Sequence, residues 1–220
     1  MKQLFPLLGL PRVAVGGLAV SVLQVLGFSA SAQGVDIPQR RGAFTAGELA
    51  ILPPYCSNMQ GFPGYEGPEG DRWRGLLGDD FQHFHHYCRG LRDVHFARTA
   101  VVSAQHRRFL WERSIGEYQY MIRNSKPTMP LLPEIFFKMG ESYLELGRLA
   151  DAQLAFESAR KLKPDYWPAY TRWIDELLKL KQFATAREVA EEGLRQLPDH
   201  PELRVRLERA QAGAGARASR

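Results

Sequence analysis

The chain has 220 residues, with 29 Lys and Arg against 24 Asp and Glu, a formal charge of +5, and only two cysteines. That balance is mild and its signs are interspersed, so neither nucleic acid nor an anionic surface is demanded as a partner. No Gly-rich phosphate loop, nucleophile elbow or His-Glu-x-x-His pair occurs in it, and the chain therefore reads as a binding protein with no catalytic residues to nominate.

Lys2 and Arg12 precede an uncharged run from Val13 to Phe28, and Ala30-Ser31-Ala32 supplies a small-x-small cleavage site. Residues 1–32 thus have the pattern of a secretory signal peptide. A retained anchor is the alternative, although the 16 apolar positions are short against the roughly 20 that span a bilayer. No cysteine stands near the cleavage site to carry a lipid. The expected mature chain starts near Gln33, has a charge of +3 once Lys2 and Arg12 are removed, does not span a membrane, and is secreted, in a bacterium to the periplasm.

Residues 33–78 form a Pro/Gly-rich arm. Ile51-Leu52-Pro53-Pro54-Tyr55 and the stretch from Gly61 to Gly70 are expected to build neither a helix nor a core of their own. In an oxidising compartment the even pair Cys56 and Cys88 is expected to bridge. Closing that loop would contribute about 3 to 4 kcal/mol and would pin the arm to the helix carrying Cys88.

Residues 79–130 read as a His-rich helical hairpin. Half of the six histidines lie in Asp79-Asp80-Phe81-Gln82-His83-Phe84-His85-His86-Tyr87-Cys88. Asp79 or Asp80 is a good N-cap, and Leu91, Val94, Ala97 and Val101 continue an apolar helical pattern. On a helix Asp79, His83 and His86 share one stripe and offer a carboxylate oxygen and two imidazoles to a transition metal. The competing reading has these histidines bonding nearby carbonyls, with Phe84 and Tyr87 packed under the arm. There is no Cys-x-x-Cys-His for covalent haem. No cofactor is expected, with a transition metal or haem as the alternative. A second helix from Gln105 to Asn124 presents Phe109, Leu110, Ile115, Tyr118 and Ile122.

From residue 133 the small and bulky positions recur. Phe136, Met139, Gly140 and Tyr143 are followed by Ala152, Phe156, Ala159 and Pro164, and a period of 34 brings Tyr170, Trp173, Leu177, Ala186, Ala190, Gly193 and Pro198. This resembles the tetratricopeptide (TPR) family. The resemblance implies an all-α chain of antiparallel helix hairpins stacked as a short superhelix, with repeats at 133–166 and 167–200. A capping helix at 201–211 covers the last apolar face, and an Ala/Gly/Ser/Arg tail at 212–220 is too poor in apolar residues to order. Ile174 stands where the first copy has Gly140, which is expected to hold the second hairpin further apart. The segments Leu-Pro-Pro-Tyr-Cys and His-x-His-His-Tyr-Cys also resemble those of exported bacterial TPR proteins of unassigned function, and carry no activity with them.

In such repeats the first helix of each unit lines the ligand groove. By resemblance the groove positions are Glu134, Phe137, Glu141, Leu144 and Glu145, then Thr171, Asp175, Leu178 and Lys179. An acidic and apolar groove is expected, matched to a protein segment with basic and apolar side chains. The function implied is an exported scaffold that helps assemble an envelope complex, with a metal- or haem-binding protein or metalloenzyme built on His83 and His86 as the alternative.

Overall fold

A computed structural model describes residues 44–218. The chain divides after Gln33 into two units; the expected signal segment lies outside the described residues. Everything below concerns the second unit, in which the described residues are helical or irregular and contain no strand.

The arm begins with α1 (Ala46–Ala50), closed by a capping box in which Thr45 and Glu48 satisfy each other's backbone N–H groups. Two 3₁₀ turns follow, Pro54–Asn58 and Pro63–Glu66, and then α2 (Pro68–Leu77). α1 and α2 correct the expectation of an irregular arm over 33–78, although of Gly61–Gly70 only Pro68–Gly70 belong to an α-helix. Pro68 occupies the first helical position of α2, where its missing N–H costs nothing, Glu69 and Asp71 favour the positive end of the helix, and Gly78 ends it at φ +79.

Cys56 and Cys88 are disulfide-bonded and both are fully buried. Around the bridge Tyr55 packs against Trp73, Phe84 and Tyr87, with ring centroids 5.6, 5.5 and 6.4 Å apart. Beyond it Arg92, buried on the next helix, lies 3.8 Å from the Glu48 carboxylate and under the Phe44 ring. The arm therefore covers the apolar N-terminal end of the helix stack, as an end unit must.

Asp79–His83 is a 3₁₀ turn, and α3 runs Phe84–Thr99. Neither aspartate is the expected N-cap. Asp80 accepts the Lys126 backbone N–H at 3.0 Å and Asp79 accepts from Lys126 Nζ at 2.7 Å, so both tie the entry of α3 to the loop after α4. Val101 lies beyond the end of α3 and is largely exposed, instead of continuing its apolar face. α4 (Ala104–Asn124), capped by Ser103, folds back on α3. An ideal Cβ on Gly90 would stand 2.4 Å from the buried Tyr118 ring, so only glycine lets the two helices approach as they do.

α5 (Leu132–Glu145) and α6 (Leu149–Leu162) pair in the same manner, with Gly140 facing the Phe156 ring. In α7 (Trp167–Lys179) and α8 (Phe183–Gln196) the roles are reversed: Ile174 replaces the glycine and Ala190 replaces the aromatic, and both are fully buried. α9 runs Pro201–Ala218 and packs on α8 and α7. It extends past residue 211, correcting the expected disordered tail: Gly213 lies against the Phe183 ring, where a Cβ would be 2.3 Å away, and small residues let the helix lie there.

Candidate ligand groove

The first helices of the successive hairpins, α3, α5 and α7, together with α9, form one face. Tyr87 on α3 donates to Glu134 on α5 at 2.7 Å, and Arg98 at the end of α3 reaches Glu141 near the end of α5 at 3.1 Å. Trp167 at the start of α7 and His200 just before α9 meet with tilted rings, their centroids 4.9 Å apart. These contacts set neighbouring helices parallel and in register.

The proposed apolar positions are partly buried. Phe137 lies half-buried between Phe156 (5.9 Å) and Tyr166 (5.8 Å), and Leu144 and Leu178 are half-buried. Burial and then the Glu134 carboxylate push the Tyr87 and Tyr166 hydroxyls above the ordinary tyrosine range, so both stay protonated as donors. Two proposed positions fall elsewhere. Thr171 is buried and spends its hydroxyl on the Pro168 carbonyl at 3.2 Å. Glu145 points into a separate cleft beside Arg107, Arg108 and Trp111 at the start of α4.

The expected acidity is corrected by the side chains that meet these carboxylates. Glu141 is also held by Lys138 at 3.2 Å. Asp175 receives Arg206 through two bonds, 3.0 Å from Nε and 2.7 Å from Nη2, with Arg209 3.8 Å away. Glu176 takes Arg172 and Lys179 at 3.3 and 3.1 Å. Two cations lie outside their acids: Lys179 is 65% exposed over Glu176 at 17%, and Arg209 61% over Asp175 at 30%, whereas Arg206, at 16%, lies beneath Asp175. Arg172, Asp175, Leu178, Lys179, Arg206 and Arg209 line a cleft of about 580 Å³ between α7 and α9. The sequence held a signal for part of this. Glu141, Asp175 and Arg209 are spaced by one repeat each, so counting the period once more into α9 would have found Arg209; Arg98 and Arg206 had none.

The His-rich cluster does not assemble as a metal stripe. The 3₁₀ turn breaks the helical spacing between Asp79 and His83, and Asp79 is engaged by Lys126. His83 meets the Tyr120 ring edge-on, while His86 stacks on that ring at 3.5 Å and bonds Glu117 through Nδ1 at 2.5 Å. His85 Nδ1 lies 3.1 Å from the Gln82 carbonyl. Among the described residues no group of three or more His, Cys, Asp or Glu side chains is placed to hold a metal ion. Burial, then the charges of His86 and Arg89, pushes His85 down to about 4, and burial with Arg89 and His83 does the same to His86. The His85 ring is therefore neutral near pH 7, and His86 donates from Nδ1 to Glu117, whose carboxylate opposes the downward shift of His86.

No protein-family model matches the chain, and no curated protein matches it in sequence. Among solved structures it is similar to the first TPR of Spaghetti (RPAP3) bound to the HSP90 peptide SRMEEVD, at 16% identity over 59% of this chain and 93% of that one, with a TM-score of 0.43. The assignment rests on the chain's own packing: hairpins at a 34-residue period, glycine or alanine facing a bulky ring or side chain in each pair, and a helix closing the end. The fold is TPR-like. In this TPR-like stack α3 and α4 are a hairpin that copies the Gly140–Phe156 contact with Gly90 and Tyr118 on longer helices. The longer spacing hides it from a search at fixed period.

Proposed function

We propose that the chain is an exported protein–protein interaction scaffold whose α3–α5–α7–α9 face receives a segment of another protein, in assembly of an envelope complex. The observation that carries this reading is the face itself: half-buried apolar Phe137, Leu144 and Leu178 beside the outward cations Lys179 and Arg209. Export is supported by the Lys2 to Ala32 pattern and by the buried Cys56–Cys88 bridge, which persists where thiols are kept oxidised. Because Lys179 and Arg209 stand outside Glu176 and Asp175, the segment that suits this face has acidic and apolar side chains.

A photo-crosslinking residue at Leu178, placed in the full chain in its native envelope, tests the proposal. One defined partner is expected, lost with Phe137→Ala and with Arg209→Glu, and absent when the crosslinker stands at Leu154 on the outward side of α6. Equal capture from Leu154, or capture indifferent to Arg209→Glu, would refute it.

A further inference from the structure

Three consecutive helices meet beside the loop that joins α4 to α5. Ile122 near the end of α4, Pro127 in the loop, Leu132 and Phe136 on the first turns of α5, and Leu162 at the end of α6 wall a cleft of about 350 Å³. That volume is in the range that takes small ligands. Leu162 is left 40% exposed there, although an aliphatic side chain gains by leaving water. Among the described residues no carboxylate lines the cleft.

Two polar groups border it without a partner. Ser125 Oγ, just past α4, is buried and has no hydrogen bond, which is costly for a hydroxyl. Lys161, in the last turn of α6, is in no ion pair among the described residues. On its other side Lys161 borders a second cleft that holds Glu157 and Glu192, but the first of these accepts from Gln153 at 2.8 Å and the second stands 3.5 Å from Arg160. A lysine in a last helical turn is favoured by the helix dipole alone. Helix stability does not call for apolar walls beside it, nor for an orphaned hydroxyl on the same cleft.

We propose that this cleft binds a small amphipathic carboxylate, a molecule with a medium-length alkyl chain and one acid head. The chain fills the space between Ile122, Leu132, Phe136 and Leu162, and the head meets Lys161 Nζ and accepts from Ser125 Oγ. Aliphatic walls with a single ring suit a chain that can bend to them. A protein segment suits the place less, because a stable protein contact buries roughly 1,000 Å² or more. The flanking Arg123, Asn124, Lys126, Lys163 and Asp165 are exposed and polar, so the apolar surface ends with the cleft. The site is lined from α4, α5 and α6, apart from the α3–α5–α7–α9 face, and does not depend on the scaffold reading.

The purified exported protein is titrated at pH 7 with octanoate and with octylammonium, followed by NMR of its backbone amides. Octanoate is expected to bind saturably and to shift the amides of Ser125, Leu132 and Leu162, with each two methylenes from butanoate to octanoate tightening it about threefold or more. Octylammonium is expected to bind about fivefold or more weakly, since the same lysine now repels the head. Lys161→Glu should reverse that order at an unchanged thermal transition, because Lys161 is exposed and unpaired, and Leu162→Ser should weaken both ligands. No saturable response to octanoate, octylammonium bound as tightly, an order untouched by Lys161→Glu, or shifts confined to other helices would each overturn the proposal. A response to the peptide acetyl-Glu-Leu-Glu-amide with none to octanoate would overturn it in favour of a protein segment.

Discussion

Gly90→Ala isolates the contact that makes α3 and α4 a TPR-like hairpin. The added methyl would meet Tyr118 at 2.4 Å from one ring carbon and 2.9 Å from two others. The ring must retreat about 1 Å to reach ordinary carbon–carbon contact, and it has nowhere to go, because Tyr118 and the neighbouring Tyr87 are fully buried. Overpacking of this kind costs about 1–3 kcal/mol, and replacing a mid-helix glycine by alanine returns about 1 kcal/mol. With the ring held in place the upper part of that range, about 2–3 kcal/mol, applies, so a net loss of about 1–2 kcal/mol is expected, read as a lower urea midpoint at unchanged slope. Tyr118→Phe should not relieve it, since the clash is with the ring, and is by itself near neutral because the buried hydroxyl has no hydrogen-bond partner. Tyr118→Leu should relieve it, so that a double-mutant cycle gives a coupling of about 1 kcal/mol or more. A Gly90→Ala protein as stable as the parent, or more stable, would refute the close packing from which the third hairpin was inferred.

Three further outcomes follow from the same residues. Replacing both Cys56 and Cys88 by alanine should lower stability by about 3–4 kcal/mol, with proteolysis entering first in the arm; loss of less than about 1 kcal/mol would show that the aromatic cluster around Tyr55 holds the arm unaided. His85 has its folded value depressed to about 4, by burial first and then by His86 and Arg89. The unfolded chain therefore binds more protons, and stability should fall as pH drops from about 6.5 to 4, a slope that shrinks in His85→Asn; a variant with the parent's slope would contradict the buried, neutral ring. Elemental analysis of untagged protein should find no stoichiometric metal, because Asp79 and His86 are committed to Lys126 and Glu117; stoichiometric metal lost on His83→Ala with His86→Ala would reverse that assignment.

The sequence alone determined the repeats, their period and the cysteine pair. Gly140 meets Phe156 within one hairpin, and Ala152 and Ala159 are buried on the same helix as Phe156, so their sizes are written at short, regular spacing that survives into the sequence. Tertiary structure alone decided the charge of the groove and the close Gly90–Tyr118 approach that makes the α3–α4 hairpin TPR-like. Arg98 meets Glu141 across 43 positions, Asp175 meets Arg206 across 31, and Gly90 meets Tyr118 across an unshared spacing. A carboxylate on a helix looks the same in sequence whether it faces a partner or an arginine from the next helix. Electrostatic pairing across a stack depends on which side chains arrive from non-adjacent segments, and only the packed helices bring them together.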